Sequence, residues 1–489
     1  MTTRDAQTSS TSRSIVSRVT YLCAARGGTI VVETTPISVK LYPRTGRTDC
    51  PPSDLRFVFN RNLASASAFS YPEIGGQSEQ AFKDRLGSRS LIKCPTMGVM
   101  PRMDFELPEE HRAFRDMVRR WVDNECPKDW ARKLEADEHN YPHALWEKFS
   151  EAGFHGIGID EEYGGQGGDV VMQMLLAREL ARSLGGLSWI WGITSFAGSK
   201  SIGLYGTPEQ KAKYLPKIAA GELKAAISFT EPAGGTDVLG SLTTTADKVD
   251  GGWVINGEKI WSSSAHVADY LLVLARTDRN VEKKHQGLTL FWVPARSDGV
   301  KITNLPKLGM RSMGSSSVVY DNVFVADENV LAEPDRAWYT LLPTLNNERI
   351  MVGAFCLGVI DGVLEDALAY MMQRKAFGKF IGQFQILQHY VADIATMQRT
   401  TELLLHSCAD KQARGENVGT DANMLKLFAS ENANKAADMG IQILGGMGYS
   451  AETDMQRYWR DSRLWRIGPI TNEMVRNGIA ESLGLPRSF

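Results

Sequence analysis

The sequence predicts an α+β chain in which a helical domain, a small β domain and a second helical domain follow one another, preceded by an extension of different composition. Three observations predict it. Apolar residues recur at helical spacing from Asp104 to about Ala220, short apolar and β-branched runs punctuated by Gly, Asp and Asn fill roughly 225–335, and long helical patterns return after about Asp335. The boundaries drawn from these changes of texture are 1–102, 103–225, 226–335 and 336–489.

Residues 1–102 are rich in Ser, Thr, Arg and Pro, with 14 Lys or Arg against 7 Asp or Glu and only isolated apolar patches such as Ile30–Val32 and Phe57–Phe59. They read as a disordered or appended extension. Arg4, Arg13, Arg18 and Arg26 among serines, with Asp5 alone acidic before Glu33, suit an organellar transit peptide. The pattern favours a rival, translation from Met97, Met100 or Met103, since a clean helical start follows Met103. The expected location is accordingly the cytoplasm if the source is bacterial, or the mitochondrial matrix if the extension is a transit peptide.

In the first helical domain Phe105, Leu107, Phe114, Val118 and Val122 mark one helix face, with Pro108 and Glu109 suited to its first turn. Further helices are expected near Ala144–Ala152, Val170–Ser183 and Glu209–Ala220. Strands are expected at Ala225–Phe229, Trp253–Ile255, Tyr270–Ala275, Leu288–Val293 and Ser317–Tyr320, forming a barrel or sandwich, with Asn256-Gly257 reading as a turn. Breaks at Gly415–Asp421 and Gly445–Ala451 divide the last region into the helices of a four-helix bundle.

Composition excludes several classes. A formal charge of -2 and a pI near 6.5 give no basic field for nucleic acid, and no stretch approaches the roughly 18 apolar residues of a membrane span. The six cysteines and eight histidines show no C-x-x-C pair and no metal-ligand spacing, so no metal is expected. No G-x-G-x-x-G follows a strand, and neither a P-loop nor a Ser-His-Asp order stands out.

Four segments carry the chemistry: Phe229-Thr230-Glu231-Pro232-Ala233-Gly234-Gly235-Thr236-Asp237; Asn256-Gly257-Glu258-Lys259-Ile260-Trp261-Ser262-Ser263; Arg374-Lys375-Ala376-Phe377-Gly378 with Gln385; and Gln442-Ile443-Leu444-Gly445-Gly446-Met447-Gly448-Tyr449. With Lys307-Leu308-Gly309-Met310-Arg311 and Tyr320-Asp321-Asn322-Val323, in this order, they closely resemble the acyl-CoA dehydrogenase family across residues 103–489. The resemblance implies the helix, β, helix fold, bound FAD, an acyl-CoA substrate, a homotetramer built as a dimer of dimers, and electron delivery to an electron-transferring flavoprotein.

Carried over residue by residue, the resemblance puts Trp261 against the isoalloxazine, Ser263 near N5 and Thr230 at the pyrimidine edge, with Phe229 a further cofactor contact. Thr236 lies near the FAD pyrophosphate and the CoA. Arg374 and Phe377 meet the flavin of a partner subunit, and Gln385, Gly445 and Gly446 grip its adenosine side, with Gln442 and Thr471 further cofactor contacts. A guanidinium pairs with a pyrophosphate in bidentate geometry, which gives Arg374 a chemical reason. By residue type alone, Trp261 also fits a β-domain core position and Arg374 a solvated helix end.

Desaturation between Cα and Cβ needs a carboxylate for the α-proton and donors for the thioester oxygen. Most members of the family supply the carboxylate from a Tyr-Glu-Gly-Thr loop, but here the aligned stretch runs Arg466-Ile467-Gly468-Pro469-Ile470-Thr471-Asn472-Glu473, with proline at the glutamate position. The isovaleryl and long-chain branches place the glutamate before an arginine on the helix that opens the last domain. Asn346-Asn347-Glu348-Arg349 matches that pattern, so Glu348 is the expected base and Arg349 a substrate contact. Glu473, one turn past the usual position, is the alternative carboxylate. Proline also lacks the N–H that the family uses at this loop, leaving either Ile470 or the flavin's ribityl hydroxyl as donor. Trp189 and Ile193 fall where relatives line the acyl tail, and their bulk points to a short or compact acyl group; core packing is the equal alternative. Three further readings are an enoyl-CoA reductase, an oxygen-using oxidase or monooxygenase, and an inactive paralogue, the last disfavoured by the intact Trp261, Ser263 and Arg374.

Overall fold

The computed structural model describes the backbone of three strands within residues 21–42, and residues 106–136 and 141–487. The chain forms two units, 1–100 and 101–489. In the first, β1 (Tyr21–Ala25), β2 (Gly28–Thr35) and β3 (Ser38–Tyr42) make an antiparallel sheet, with Val31 opposite Leu22 and Tyr42. This is regular structure that the Ser- and Arg-rich composition did not signal. The transit-peptide segment before Tyr21 and the alternative starts at Met97, Met100 and Met103 lie outside the described residues.

The second unit opens with α1 (Glu109–Glu125), whose Val118 and Val122 are buried at helical spacing behind the capping Pro108. After α2 (Lys128–Ala136) and α3 (His143–Glu151) comes α4 (Val170–Ser183), capped by the Asp169 side chain on the Met172 N–H at 2.9 Å. All its residues but Met172 are buried, so α4 belongs to the interior. Next are α5 (Gly185–Thr194), a π-turn at Ser195–Lys200, α6 (Ser201–Tyr205) and α7 (Pro208–Ala219). The last begins with a full capping box between Thr207 and Gln210.

One eight-stranded sheet follows, built from β4 (Ala225–Ser228), β5 (Thr245–Val249), β6 (Gly252–Ser263), β7 (Tyr270–Arg276), β8 (Leu288–Pro294), β9 (Val300–Asn304), β10 (Ser315–Ala326) and β11 (Val330–Leu331). Its order is β11-β8-β7-β5-β6-β10-β9, with β4 paired in parallel to β7. The two faces alternate. Leu272, Leu274, Leu290 and Trp292 pack with Tyr214, Leu215 and Ile218 of α7, whereas Leu271, Val273, Ala275, Phe291 and Val293 join Ile255, Val318 and Val323 in a second core. A single sheet thus does the work expected of a barrel or sandwich. The turn expected at Asn256-Gly257 is not one: β6 continues through it to Ser263. Gly257, at φ +150, is required because a Cβ there would lie 2.4 Å from Thr244 Oγ1.

The last region is organised by α8 (Ala337–Gln373), about 55 Å long. It packs against α4, α9 (Gln385–Ala413), α10 (Gly419–Leu444) and α12 (Met455–Leu464); the short α11 (Gly446–Tyr449) and the terminal α13 (Asn472–Ser482) complete the unit. Residues 350 to 360 of α8 are buried without interruption, as befits a helix surrounded on all sides. The bundle therefore shares its core with α4 of the first helical region, a merger that local sequence pattern does not encode. Cys126, Cys356 and Cys408 are buried free thiols, each pushed by burial up to about 12. Among the described residues no helix is long and apolar enough to cross a membrane, and no group of His, Cys, Asp or Glu could hold a metal ion.

Candidate active site

Glu348 lies on α8 just before its fully buried stretch, and it is only 6% exposed. Burial raises its carboxyl to about 7, against the opposing pull of Arg349 and Lys426. No hydrogen bond holds this carboxylate among the described residues. Its neighbours are fixed instead: Arg349 Nη1 donates to Asn346 Oδ1 at 2.8 Å, and Gln412 Nε2 donates to Asn347 Oδ1 at 2.8 Å. The site therefore presents a proton acceptor tuned near neutrality on a rigid element.

The loop after α12 is tied from both sides. Gly468 N–H donates to Leu464 C=O, Asn472 N–H donates to Arg466 C=O, and Thr471 Oγ1 accepts from Met474 N–H to cap α13. Lys426 of α10, fully buried, donates from Nζ to Ile470 C=O and Asn472 Oδ1, both at 2.6 Å. Pro469 is exposed, and the Ile470 N–H has no hydrogen-bond partner among the described residues. Glu473 is exposed in the first turn of α13.

Trp189 and Ile193 of α5 are buried. Trp189 meets Phe355 edge-on at 5.4 Å and Trp465 at 5.1 Å, while Phe355 and Trp465 lie 5.4 Å apart, so three rings from three segments close one cluster. Phe355 follows Glu348 by two turns on one face of α8, about 10 Å along the axis. Phe355 and Trp465 escaped the sequence reading because each looks like an ordinary core residue until the other two rings are beside it.

A second group surrounds the end of β4. Lys259 of β6 is fully buried, pairing with Glu231 Oε1 at 2.9 Å and donating to Phe229 C=O at 3.0 Å. Glu231 also accepts from the Thr243 N–H and hydroxyl and from the Thr244 N–H. Burial alone would raise Glu231, but Lys259 and these donors outweigh it and hold the carboxyl at about 2; burial brings Lys259 down to about 8. Ile260 N–H donates to Thr230 C=O at 2.8 Å, so the Phe229-Thr230 segment is strapped to β6 beside Trp261. Trp261 is 57% exposed at φ +61, and Ser263, two residues on, is half-buried. Thr230 is half-buried and Thr236 exposed in the glycine-containing turn. An exposed indole, held in backbone strain beside a braced peptide, fits an aromatic cofactor better than it fits a core. Sequence reasoning included Glu231 and Lys259 in motifs but gave them no role; two opposite charges in apolar company were the signal.

The remaining predicted contacts gather at the far end of α8. Arg374 is its exposed C-cap and leads into the hairpin β12 (Lys375–Ala376) and β13 (Lys379–Phe380), whose turn holds Phe377, 94% exposed at φ +54. Gln385 opens α9 and is exposed; Gln442, Gly445 and Gly446, at the end of α10, are not buried either. Gln373 and Leu444 line one groove of about 250 Å³, so the ends of α8 and α10 are neighbours. A bare phenyl ring beside a guanidinium at a helix end is suited to a surface that another molecule covers.

Comparison with known proteins matches three parts of the chain in turn: Acyl-CoA dehydrogenase, N-terminal domain, at 108–222; middle domain, at 226–323; and C-terminal domain, at 335–484. Isovaleryl-CoA dehydrogenase, mitochondrial, of Oryza sativa subsp. japonica is 34% identical over 373 residues, 76% of this chain and 90% of that protein. The caffeyl-CoA reductase-Etf complex subunit CarC of Acetobacterium woodii is 32% identical over 377 residues, 77% of this chain and 98% of that one. Among solved structures, the FAD complex of PigA superposes with a TM-score of 0.74 at 25% identity, covering 78% of this chain and all of the other.

Proposed function

Because this chain belongs to the acyl-CoA dehydrogenase family, flavoprotein oxidoreductases that use FAD, we propose that it desaturates a compact acyl-CoA with Glu348 as the base. The observation that carries this reading is the buried Glu348 carboxyl, raised to about 7, in a chain whose loop has Pro469 in place of a carboxylate. Poised near neutrality, Glu348 accepts the α-proton of the thioester with little driving force wasted on either side. FAD, when bound, supplies the acceptor for the hydride that leaves the β-carbon. Trp261, Thr230 and Ser263 would hold its ring, with the Glu231–Lys259 pair keeping the segment that carries Thr230 in place. Arg374, Phe377, Gln385, Gln442, Gly445 and Gly446 would hold the flavin of a partner subunit, which accounts for their shared accessibility.

The Ile470 N–H is the donor proposed for the thioester oxygen. It is unbonded among the described residues, it is adjacent to the proline that cannot donate, and its segment is fixed by Lys426. Excluding water and stopping the acyl tail falls to the Trp189, Phe355 and Trp465 rings, whose bulk suits a short, branched or compact acyl group. An electron-transferring flavoprotein is the proposed electron acceptor, consistent with the Etf complex in the name of the CarC relative. Anaerobic titration of the purified protein with a panel of acyl-CoAs tests the whole reading. Bleaching of bound flavin by short or branched acyl-CoAs, with slow turnover in oxygen, is expected; rapid peroxide formation without bleaching would reject it.

A further inference from the structure

We propose that Lys426 is a positioning residue that couples the Ile470–Asn472 loop to the base, fixing the loop through hydrogen bonds and biasing Glu348 toward its ionised form through charge. The inference rests on Glu348 being the base and adds the device that sets it. Lys426 sits inside α10 with no exposed surface. Its ammonium has three donors. Two reach the Ile470 carbonyl and Asn472 Oδ1, and Asn472 is itself oriented by donating from Nδ2 to Ser430 Oγ at 3.0 Å, one turn along the same helix. Both acceptors are neutral, so they satisfy two of the donors without compensating the charge. A buried cation left in this way is costly, and burial brings Lys426 down to about 8. An apolar residue with a differently closed loop would serve the fold better, which points to a use for the charge itself.

The groups around Glu348 support that use. On its own helix lies Arg349, whose Nη1 is engaged with Asn346. α10 packs along α8, with Leu425 against Gly353, so Lys426 is carried beside the segment that holds Glu348 and is the second cation acting on it; Cys356, the exposed Glu473 of α13, Arg349 and Glu431 act on Lys426 in turn. The other charges facing α8 are engaged elsewhere. Arg178 of α4 pairs with Asp361 and with Glu402 of α9 beside His406, and Asp361 is about 20 Å along the helix from Glu348. Lys411 of α9 pairs with Asp421, Glu431 of α10 with Arg476, and Asp461 of α12 accepts from the Met310 N–H. Lys426 is thus placed to sense both the loop and the base, so that the thioester donor and the proton acceptor are set by one side chain.

The test is the pH profile of anaerobic flavin reduction by a short acyl-CoA in the FAD-loaded enzyme, comparing the unaltered chain with Lys426→Gln, Asn472→Asp and Glu348→Gln. Lys426→Gln removes the charge but keeps an amide NH2 that can donate; Asn472→Asp keeps the shape and cancels the charge with a neighbouring carboxylate. Either should move the acid limb upward by about one pH unit, the scale of removing a charge roughly 12 Å away at an effective dielectric near 20. At the original midpoint the rate should fall about five-fold relative to each variant's own high-pH plateau, beyond any fall of the plateau itself that loosening the loop causes. A purely structural role would lower the plateau and leave the limb in place, and that result overturns the proposal, as does loss of flavin from both variants. If Glu348→Gln is as fast as the unaltered chain, the base assignment fails; if it is inactive while the limbs stay put, only the role of Lys426 fails.

Discussion

Replacing Glu348 by Gln should slow catalysis and stabilise the fold, with a pH dependence that identifies the cause. In the folded chain the carboxyl is raised from 4.5 to about 7 by burial, so the folded state binds the proton more tightly than the unfolded state does. Its contribution is therefore intact below the unfolded value and is lost as pH rises from about 4.5 through about 7. A tenfold change in proton affinity is worth about 1.4 kcal/mol, so an ionised Glu348 costs the fold roughly 3 kcal/mol by about pH 8 and only about 1 kcal/mol near pH 5.5. Glutamine has no charge to bury. The melting temperature of Glu348→Gln should exceed that of the unaltered chain by a few degrees at about pH 8, with the gap shrinking toward about pH 5.5. Single-turnover flavin reduction should fall by at least about 10²-fold while flavin and acyl-CoA still bind. A gap in melting temperature that ignores pH, or near-normal reduction, would refute the reasoning.

Three other perturbations reach different parts of the site. Lys259→Met should cost about 3–5 kcal/mol by stranding Glu231, and should lower the flavin-to-protein ratio measured by absorbance. Trp189→Ala should cost about 3–5 kcal/mol in chemical denaturation and shift the preferred acyl-CoA toward longer tails, because it opens the ring cluster two turns from Glu348. Phe377→Asp should leave the monomer's melting little changed, since the ring is 94% exposed, but should weaken subunit association and flavin retention together, as read by light scattering and flavin release on dilution.

Much of the fold was legible because helices and strands obey local periods. The expected 170–183 helix matches α4, the end of the first helical region matches α7, and five strands begin within three residues of their predicted starts. The misread turn at Asn256-Gly257 shows the limit: the dipeptide has turn chemistry, but strand pairing with Thr245 and Tyr320 overrides it, and glycine serves close packing instead. The sheet in residues 21–42 went unseen because short strands in polar company carry little periodic signal.

The sequence by itself determined the family and the order of domains, and it singles out Glu348 as the proposed base, because a proline at position 469 and a Glu-Arg pair at 348–349 are covalent facts. Tertiary structure alone decided what Glu348 can do. Its proton affinity comes from burial and from the cations around it, of which Lys426 is 78 positions away along the chain. The Trp189, Phe355 and Trp465 cluster and the Glu231–Lys259 pair arise in the same way. Desolvation and Coulomb energies depend on distance in space, and no local pattern in a sequence records that distance.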